Sequence, residues 1–198
     1  MLHLSFSGLL VAMMMSQGVA QAQAYVTGLG GFATLSSAAA VRSSPPVVSI
    51  YDAKVGAALN FETGYHINDW FSGQAGYIWN RNRIVSSMLA ARSGTLVQQD
   101  AIRSQHAVDA EVLLYFRPRS SQIRPYLSAG PAWVRALSGN KPGLRVAVGA
   151  DLMLKSGWGF RYSFGEMMTA NSFGAALRPQ ATSKLMNFQN LFGIVKRF

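Results

Sequence analysis

The chain closes with the segment Asn190-Leu191-Phe192-Gly193-Ile194-Val195-Lys196-Arg197-Phe198, which alternates residue by residue and stops on an aromatic side chain. A period of two is typical of a β-strand, because successive side chains point to opposite faces of a sheet. A strand of this kind inside an apolar layer needs a hydrogen-bonding neighbour on each side, and closure of the sheet supplies both. We therefore predict that this segment is the last strand of a closed barrel.

The N-terminal residues predict export. An apolar stretch from Leu9 to Val19 precedes the small-residue series Ala20-Gln21-Ala22-Gln23-Ala24, which is typical of a secretory signal cleaved after Ala24. The apolar stretch is shorter than the roughly 20 residues that a membrane-spanning helix needs. The sequence contains no cysteine, which excludes a lipid-anchoring cysteine, disulfides and thiolate metal sites. We predict a signal peptide at residues 1–24 and one domain at residues 25–198.

Composition points to alternating strands rather than spanning helices. The sequence is 49% hydrophobic and 13% charged, yet no segment after residue 24 has an apolar run of transmembrane-helix length. The 18 basic and 8 acidic residues give a formal charge of +10, which favours a negatively charged partner. Nucleic acid is not favoured as that partner, because the basic residues form no periodic face and no known nucleic-acid module.

Four segments show the same two-faced pattern. In one of them Val108, Ala110 and Val112 alternate with Asp109 and Glu111, as expected when one face meets lipid and the other a polar interior. For the first and fifth strands, the sequence does not indicate which face points inward. Pro131, in the fifth strand, fits best at a bulge or another strand irregularity. The predicted strands are residues 25–35, 51–62, 70–80, 103–116, 125–136, 144–154, 158–164 and 187–198.

Connection lengths also favour a membrane barrel. With both termini in the periplasm, the outer connections are residues 36–50, 81–102, 137–143 and 165–186, and three of them are longer than any inner turn. A soluble ligand-binding barrel would place its apolar residues inside and its polar residues outside. The aromatic set Trp158, Phe160, Tyr162 and Phe164 on one strand face instead favours lipid.

The chain resembles the small eight-stranded outer-membrane β-barrel family of OmpA/OmpX type. The resemblance is carried by residues 106–115 followed by 124–131, by Trp158-Gly159-Phe160-Arg161-Tyr162, and by Gly193-Ile194-Val195-Lys196-Arg197-Phe198. It implies an antiparallel up-and-down transmembrane barrel in the cell outer membrane, a monomer in contact with outer-membrane lipids. It also implies recognition of the C-terminal strand, ending at Phe198, by the outer-membrane assembly machinery. Lys196 departs from the usual apolar residue two positions before the terminal Phe.

Charged residues on the inward faces are expected to meet in one narrow lumen. An eight-stranded barrel has an interior that side chains just fill, so we expect a packed, paired core rather than an open pore. A narrow ion or solute channel is the alternative interpretation. The candidate lumen network is Asp52, Lys54, Glu62, Arg103, Asp109, Glu111, Arg145, Asp151, Arg161 and Arg197.

The outer connections are strongly basic and are the candidate contact with lipopolysaccharide or another anionic partner. A less favoured interpretation is a lipid A-modifying enzyme that uses His106 with Ser104 and Asp100. We predict no catalytic residue, no cofactor and no metal site, because the histidines lie at opposite ends and lack paired-ligand spacing. The candidate anion-contacting residues are Arg42, Arg81, Arg83, Arg92, Lys141, Arg178 and Lys184.

Overall fold

The structure, a computed structural model, describes residues 23–35, 40–43, 47–90, 95–136, 139–170 and 184–198. The predicted signal peptide lies outside these residues, apart from Gln23 and Ala24. The described part of the chain is built from antiparallel strands. They are β1 (Ala24–Leu35), β2 (Ala40–Ser43), β3 (Val47–Ala53), β4 (Gly56–His66), β5 (Phe71–Ala90), β6 (Thr95–Tyr115), β7 (Ile123–Ala136), β8 (Gly139–Met153), β9 (Trp158–Ala170) and β10 (Lys184–Arg197).

Eight of these strands close into a ring. The order β5-β4-β1-β10-β9-β8-β7-β6 is completed by pairing of β6 with β5, so each of the eight pairs with a neighbour on both sides. The remaining two strands, β2 and β3, extend the sheet from the outer part of β5. In the described residues, no helix is long and apolar enough to cross a membrane. The closed ring of eight antiparallel strands confirms the predicted eight-stranded barrel.

The two faces of each strand follow the predicted period. Outward side chains such as Leu127, Val148 and Phe160 are exposed, whereas inward ones such as Glu111 and Arg161 are buried. This arrangement of an apolar exterior and a polar interior is that of a membrane barrel, and it is the reverse of a soluble ligand-binding barrel. The structure also gives the facing of the first and fifth predicted strands, which the sequence left undecided. Tyr25 of β1 and Tyr126 of β7 are buried and point inward.

The four tryptophans mark two levels of the barrel. Trp70 and Trp158 lie where β5 and β9 begin, at the inner end, and Trp79 and Trp133 lie toward the outer end. Nine residues from Trp70 to Trp79 span about 30 Å of strand, or about 23 Å along the axis of a barrel whose strands tilt by about 40°. This spacing matches the apolar band of about 25 Å that aromatic girdles flank in outer-membrane barrels.

Several strands are longer than predicted. Residues 81–102 were predicted to be a loop, but β5 and β6 remain paired from Phe71↔Leu114 up to Ala90↔Thr95. That prediction is wrong because backbone pairing does not need lipid, so the hairpin continues beyond the apolar band. Strand β9 likewise runs to Ala170, β10 begins at Lys184, and β8 begins at Gly139.

A bulge interrupts the predicted second strand. Ala53 lies opposite Ile84 and Ala57 lies opposite Arg81, so three residues on one side face two on the other. Gly56 fits this irregularity because a Cβ there would lie 2.0 Å from the Arg81 carbonyl oxygen. The Asn82 amide supports it by donating to the carbonyl oxygens of Ala33 and Lys54, at 2.8 and 3.2 Å. The extra residue changes the side-chain alternation, so the pattern predicted for residues 51–55 does not continue that of β4.

Pro131 interrupts the pairing of β6 with β7 without adding a residue. The pairs Asp109↔Ala132 and Val112↔Ala129 stand on either side of the interruption and share one register. A proline lacks the N–H group that a ladder hydrogen bond needs, which explains the gap. The predicted irregularity is therefore present, and it is not a bulge.

Gly130, beside that proline, is a position where we expect a side chain to be costly. A Cβ at Gly130 would lie 1.9 Å from the Ala110 carbonyl oxygen and 2.7 Å from Glu111 Cα, so the neighbouring backbone would have to move. We expect Gly130→Ala to lower the free energy of unfolding by about 1–3 kcal/mol, as overpacking does. Urea unfolding in lipid vesicles measures this difference.

Gly73→Ala is the matched control for that variant. Gly73 lies on the outward face of β5, and a Cβ there meets no atom within 4 Å. We expect this variant to leave stability unchanged or to raise it slightly, since alanine restricts the unfolded chain more than glycine does. Equal losses in both variants would contradict the close strand approach at Gly130.

Candidate functional site

The centre of the lumen is organised by Arg161, which projects inward from β9 and is fully buried. Its Nε and Nη2 atoms donate to the two carboxylate oxygens of Asp151 at 2.6 and 2.9 Å, which is a bidentate pair. Its Nη1 donates to Glu62 Oε2 at 2.9 Å. One guanidinium therefore holds two carboxylates from two other strands, β8 and β4, away from water.

A second arginine continues the network. Arg145 on β8 has its Nη1 atom 2.6 Å from Glu111 Oε1, 3.4 Å from Asp109 Oδ2 and 3.6 Å from Glu62 Oε1. Glu62 thus lies between the two arginines and joins both halves of the cluster. We refer to Glu62, Asp109, Glu111, Asp151, Arg145 and Arg161 as the lumen network.

Neutral polar groups add further hydrogen bonds to this network, although the Nε and Nη2 atoms of Arg145 have no hydrogen-bond partner within the described residues. The Gln74 amide donates to Glu111 Oε2 at 3.0 Å and accepts from Tyr25 Oη at 2.9 Å and from Arg161 Nη1 at 3.1 Å. Tyr115 Oη donates to Asp151 Oδ2 at 3.1 Å, and Asn60 donates to Glu62 Oε1 at 2.6 Å. Buried charges require such partners, because an unpaired charge in a low-dielectric interior is costly.

The lumen is layered from the inner end outward. On β6 the inward series runs from Glu111 and Asp109 through Ala107 to Gln105, so charge gives way to an apolar level and then to an amide. Ala107 packs with Ile78, Ala132, Val134 and Met167 in one buried cluster. Above it, Asn187 donates to Gln105 Oε1 at 2.8 Å. A packed apolar layer between two polar layers opposes a continuous water path.

The other candidate lumen residues lie outside this network. Arg103 and Arg197 are half-buried near the outer and inner ends, and Lys54 is exposed at the bulge. The bulge explains the difference for Lys54, because the strand irregularity separates it from the inward series of β4. Asp52 belongs to β3, where its backbone pairs with Val85, and its side chain is outside the described residues.

Arg124 is a buried arginine that the sequence analysis missed. It lies at the inner end with its guanidinium carbon 3.7 Å from the centre of the Tyr115 ring, and its Nη2 donates to the Asp69 carbonyl oxygen at 3.1 Å. The predicted fifth strand begins at Pro125, one residue too late to include it. The inward alternation of Arg124, Tyr126 and Ser128 is the signal that could have found it.

The candidate anion-contacting residues do not behave as one group. Arg83 is exposed but paired with Asp100, which its Nε approaches to 2.9 Å, whereas Arg81 is exposed and Lys141 is half-exposed. Arg42 and Lys184 belong to β2 and β10, and their side chains are outside the described residues, as are Arg92 and Arg178 entirely. Of the predicted arginines whose side chains the structure describes, Arg81 is therefore the one that is exposed and not paired with an acidic side chain.

Arg135, which was not predicted, lies near Arg81 on the outward face. Trp79, His106 and Arg135 are successive cross-strand partners on β5, β6 and β7, and Arg81 lies opposite Ser104, two residues along β6 from His106. Two strand spacings separate the two arginine backbones laterally by roughly 10 Å. Within the described ranges, neither arginine has an acidic partner at ion-pair distance. We call Arg81 and Arg135 the outer basic pair.

The histidine considered for hydrolysis has another partner. His106 Nδ1 lies 2.6 Å from Tyr77 Oη on the outward face. Asp100 is engaged by Arg83, and this pairing holds the pKa of Asp100 below its ordinary value through the hydrogen bonds from the guanidinium. The described contacts thus do not join Ser104, His106 and Asp100 into a nucleophile, base and orienting acid. No group of three or more potential metal-binding side chains occurs in the described part of the chain.

Comparisons with known proteins agree with this architecture. The family model described as outer membrane protein beta-barrel domain matches residues 7–191. The structure is similar to Neisserial surface protein A, with 18% identity, a TM-score of 0.61, and coverage of 88% of this chain and 97% of that one. It is also similar to OprG from Pseudomonas aeruginosa, with 12% identity, a TM-score of 0.56, and coverage of 89% and 95%. A search of curated proteins finds no match. The chain belongs to the outer membrane protein beta-barrel domain family and is a small transmembrane barrel of the cell outer membrane.

Proposed function

We propose that this protein is a non-enzymatic, monomeric barrel with a structural or surface-interaction role, and that its outer basic residues bind the phosphates of lipopolysaccharide. The outer basic pair carries the proposal. Arg81 lies two residues beyond Trp79, and Arg135 lies two residues beyond Trp133, on the same outward face. Tryptophans of this kind occupy the membrane interface, so both guanidiniums extend to the level of the lipid headgroups.

Phosphate is the chemistry that suits this position. A guanidinium offers planar, paired donors that match phosphate oxygens, and such charge-assisted hydrogen bonds are stronger than neutral ones. The apolar wall below, with Tyr77, Val108 and Trp133 exposed, suits the acyl chains of the same lipid. One lipid A molecule could therefore contact the outer basic pair with its phosphates and the barrel wall with its chains.

The lumen supports a role other than transport. Arg145 and Arg161 fill the barrel centre, are fully buried, and are fixed by carboxylates from several strands. A narrow channel is the second candidate function, because the lumen network is charged. It is less favoured because ions would have to pass both the paired centre and the apolar layer around Ile78.

The test is binding of lipid A with and without its phosphates. We expect the double variant Arg81→Gln/Arg135→Gln, in phosphatidylcholine nanodiscs, to bind phosphorylated lipid A at least about tenfold more weakly than the unaltered protein. Two charge-assisted contacts at about 1.5–3 kcal/mol each would account for such a loss. Dephosphorylated lipid A should bind the two proteins alike. Competition with fluorescently labelled lipid A measures both affinities.

Arg117→Gln is the control, because Arg117 is an exposed arginine at the inner end of the same barrel. It should bind lipid A as the unaltered protein does. Equal affinity of the double variant and the unaltered protein would contradict the proposed contact. Loss in both the double variant and Arg117→Gln would show a dependence on net charge rather than on position.

A further inference from the structure

The inner end of the barrel contains a cavity of about 780 Å³. Residues of all three inner turns line it, with Asp69 before β5, Arg119 to Gln122 between β6 and β7, and Leu154 to Lys155 after β8. Arg197 and Phe198 at the end of β10 complete the wall. Because turns from different sides of the barrel frame the cavity, it lies across the barrel axis and faces the periplasm. We call it the inner vestibule.

The charge of the inner vestibule is positive. Arg119, Lys155 and Arg197 line it together with one acidic side chain, Asp69. Asp69 is engaged by Arg119, whose Nε donates to Asp69 Oδ1 at 2.9 Å, and this hydrogen bond holds the pKa of Asp69 below its ordinary value. Asp69 therefore stays ionised and offsets one positive charge. The balance remains positive even with a main-chain carboxylate at Phe198 included.

Arg197 is the side chain that most needs a further partner. It points inward from β10 and is half-buried, and its hydrogen bond to the Arg119 carbonyl oxygen is long, at 3.5 Å. Within the described residues, no carboxylate lies at ion-pair distance from it. Removing a guanidinium from water without an anion is unfavourable, so an anion in the cavity would stabilise this arrangement.

We propose that the inner vestibule is a binding site for a small oxyanion, a carboxylate or phosphate compound that enters from the periplasm. Arg197 and Lys155 supply charge, and Ser120, Ser121 and Gln122 supply neutral hydrogen-bonding groups from the neighbouring turn. A soluble ligand fits better than a membrane lipid because most of the side chains that line the cavity are polar or charged. This site is independent of the outer basic pair, which lies at the other end of the barrel.

Citrate and pyrophosphate are suitable probes for this site. In phosphatidylcholine nanodiscs, we expect saturable amide chemical-shift changes at Ser121, Gln122 and Gly157 when either probe is titrated into the full chain. Arg197→Gln and Lys155→Gln should each weaken the affinity at least fivefold. Arg117→Gln should leave it unchanged, because Arg117 is exposed at the same end and does not line the cavity. Heat-dependent gel migration checks that each variant is folded.

Two results would overturn the proposal. The first is a lack of saturable shifts in the unaltered protein, or shifts that persist with the same affinity in folded Arg197→Gln and Lys155→Gln. The second is a response to nanodiscs that contain phosphatidylglycerol, with no response to either soluble probe, which would show a lipid-headgroup contact instead. Neither result depends on lipid A binding, so failure here and failure of the outer contact are distinguishable.

Discussion

Replacing Arg161 with leucine is expected to lower the free energy of unfolding by about 3–5 kcal/mol, because it leaves Asp151 and Glu62 buried without their shared partner. The bidentate pair with Asp151 holds β9 to β8, and the bond to Glu62 crosses the lumen to β4. Reversible urea unfolding in lipid vesicles, followed by tryptophan fluorescence, measures the difference. This is the largest single effect that we expect from the lumen.

The double variant Arg161→Leu/Asp151→Leu separates the effect of losing the ion pair from the effect of leaving a buried carboxylate without its partner. It removes both members of the bidentate pair, so it should destabilise the barrel less than Arg161→Leu alone. Lys155→Leu is the surface control, because this lysine is exposed, and we expect a change within about 0.5 kcal/mol. A loss below about 1 kcal/mol in Arg161→Leu would be typical of an exposed ion pair and would contradict a dry lumen network.

Leu127→Arg is expected to cost about 2–4 kcal/mol, because Leu127 faces outward near the middle of the apolar band. Its cross-strand neighbours are Leu114 and Val148, both outward and apolar. The bilayer, rather than the protein, makes this substitution costly. Unfolding in vesicles of defined thickness measures the loss, and thinner bilayers should reduce it.

Ile123→Arg is the matched control. Ile123 lies on the same strand and face, and its exposed fraction of 49% is close to the 43% of Leu127. It begins β7 at the inner interface, where an arginine costs only about 0–1 kcal/mol. A soluble barrel would respond alike to the two substitutions because their exposure is alike. Equal losses would therefore contradict the assigned membrane band.

Strand faces were predictable from the sequence where a single face meets lipid. The alternation of Val108, Ala110 and Val112 with Asp109 and Glu111 determined which side chains enter the lumen, because lipid and lumen impose opposite polarity on neighbouring residues. The same argument predicted an inward direction for Glu62, Arg145, Asp151 and Arg161, which are buried in the structure. It did not identify the partners, since the stagger of the strands decides which inward residues meet.

The errors arise where that contrast between lipid and lumen disappears. Beyond Trp79 the outward face of the β5–β6 hairpin carries the exposed Arg81 and Arg83 rather than apolar residues, so polarity no longer marks where the strands end. The bulge before Gly56 depends on a close approach to the Arg81 carbonyl, which residue types alone do not reveal. Arg135 was not among the predicted anion-contacting residues because it lies on a predicted strand rather than in an outer connection.

The filled lumen connects the architecture to the proposed role. If carboxylates and arginines from four strands hold the centre closed, the barrel is a rigid support, and interactions occur at its two ends. The outer end presents the basic pair at headgroup level, and the inner end presents the vestibule. Both surfaces depend on the lumen network only through the stability that it gives to the barrel.

Conductance of the purified, folded protein in planar lipid bilayers tests this account most directly. A large porin inserted in the same bilayer serves as the positive control, and heat-dependent gel migration confirms that the sample is folded. We predict no stable, discrete conductance steps, because Arg145, Arg161 and the apolar layer around Ile78 are packed across the described part of the lumen. Reproducible steps of constant size would contradict the closed lumen and make the channel the better account of this protein.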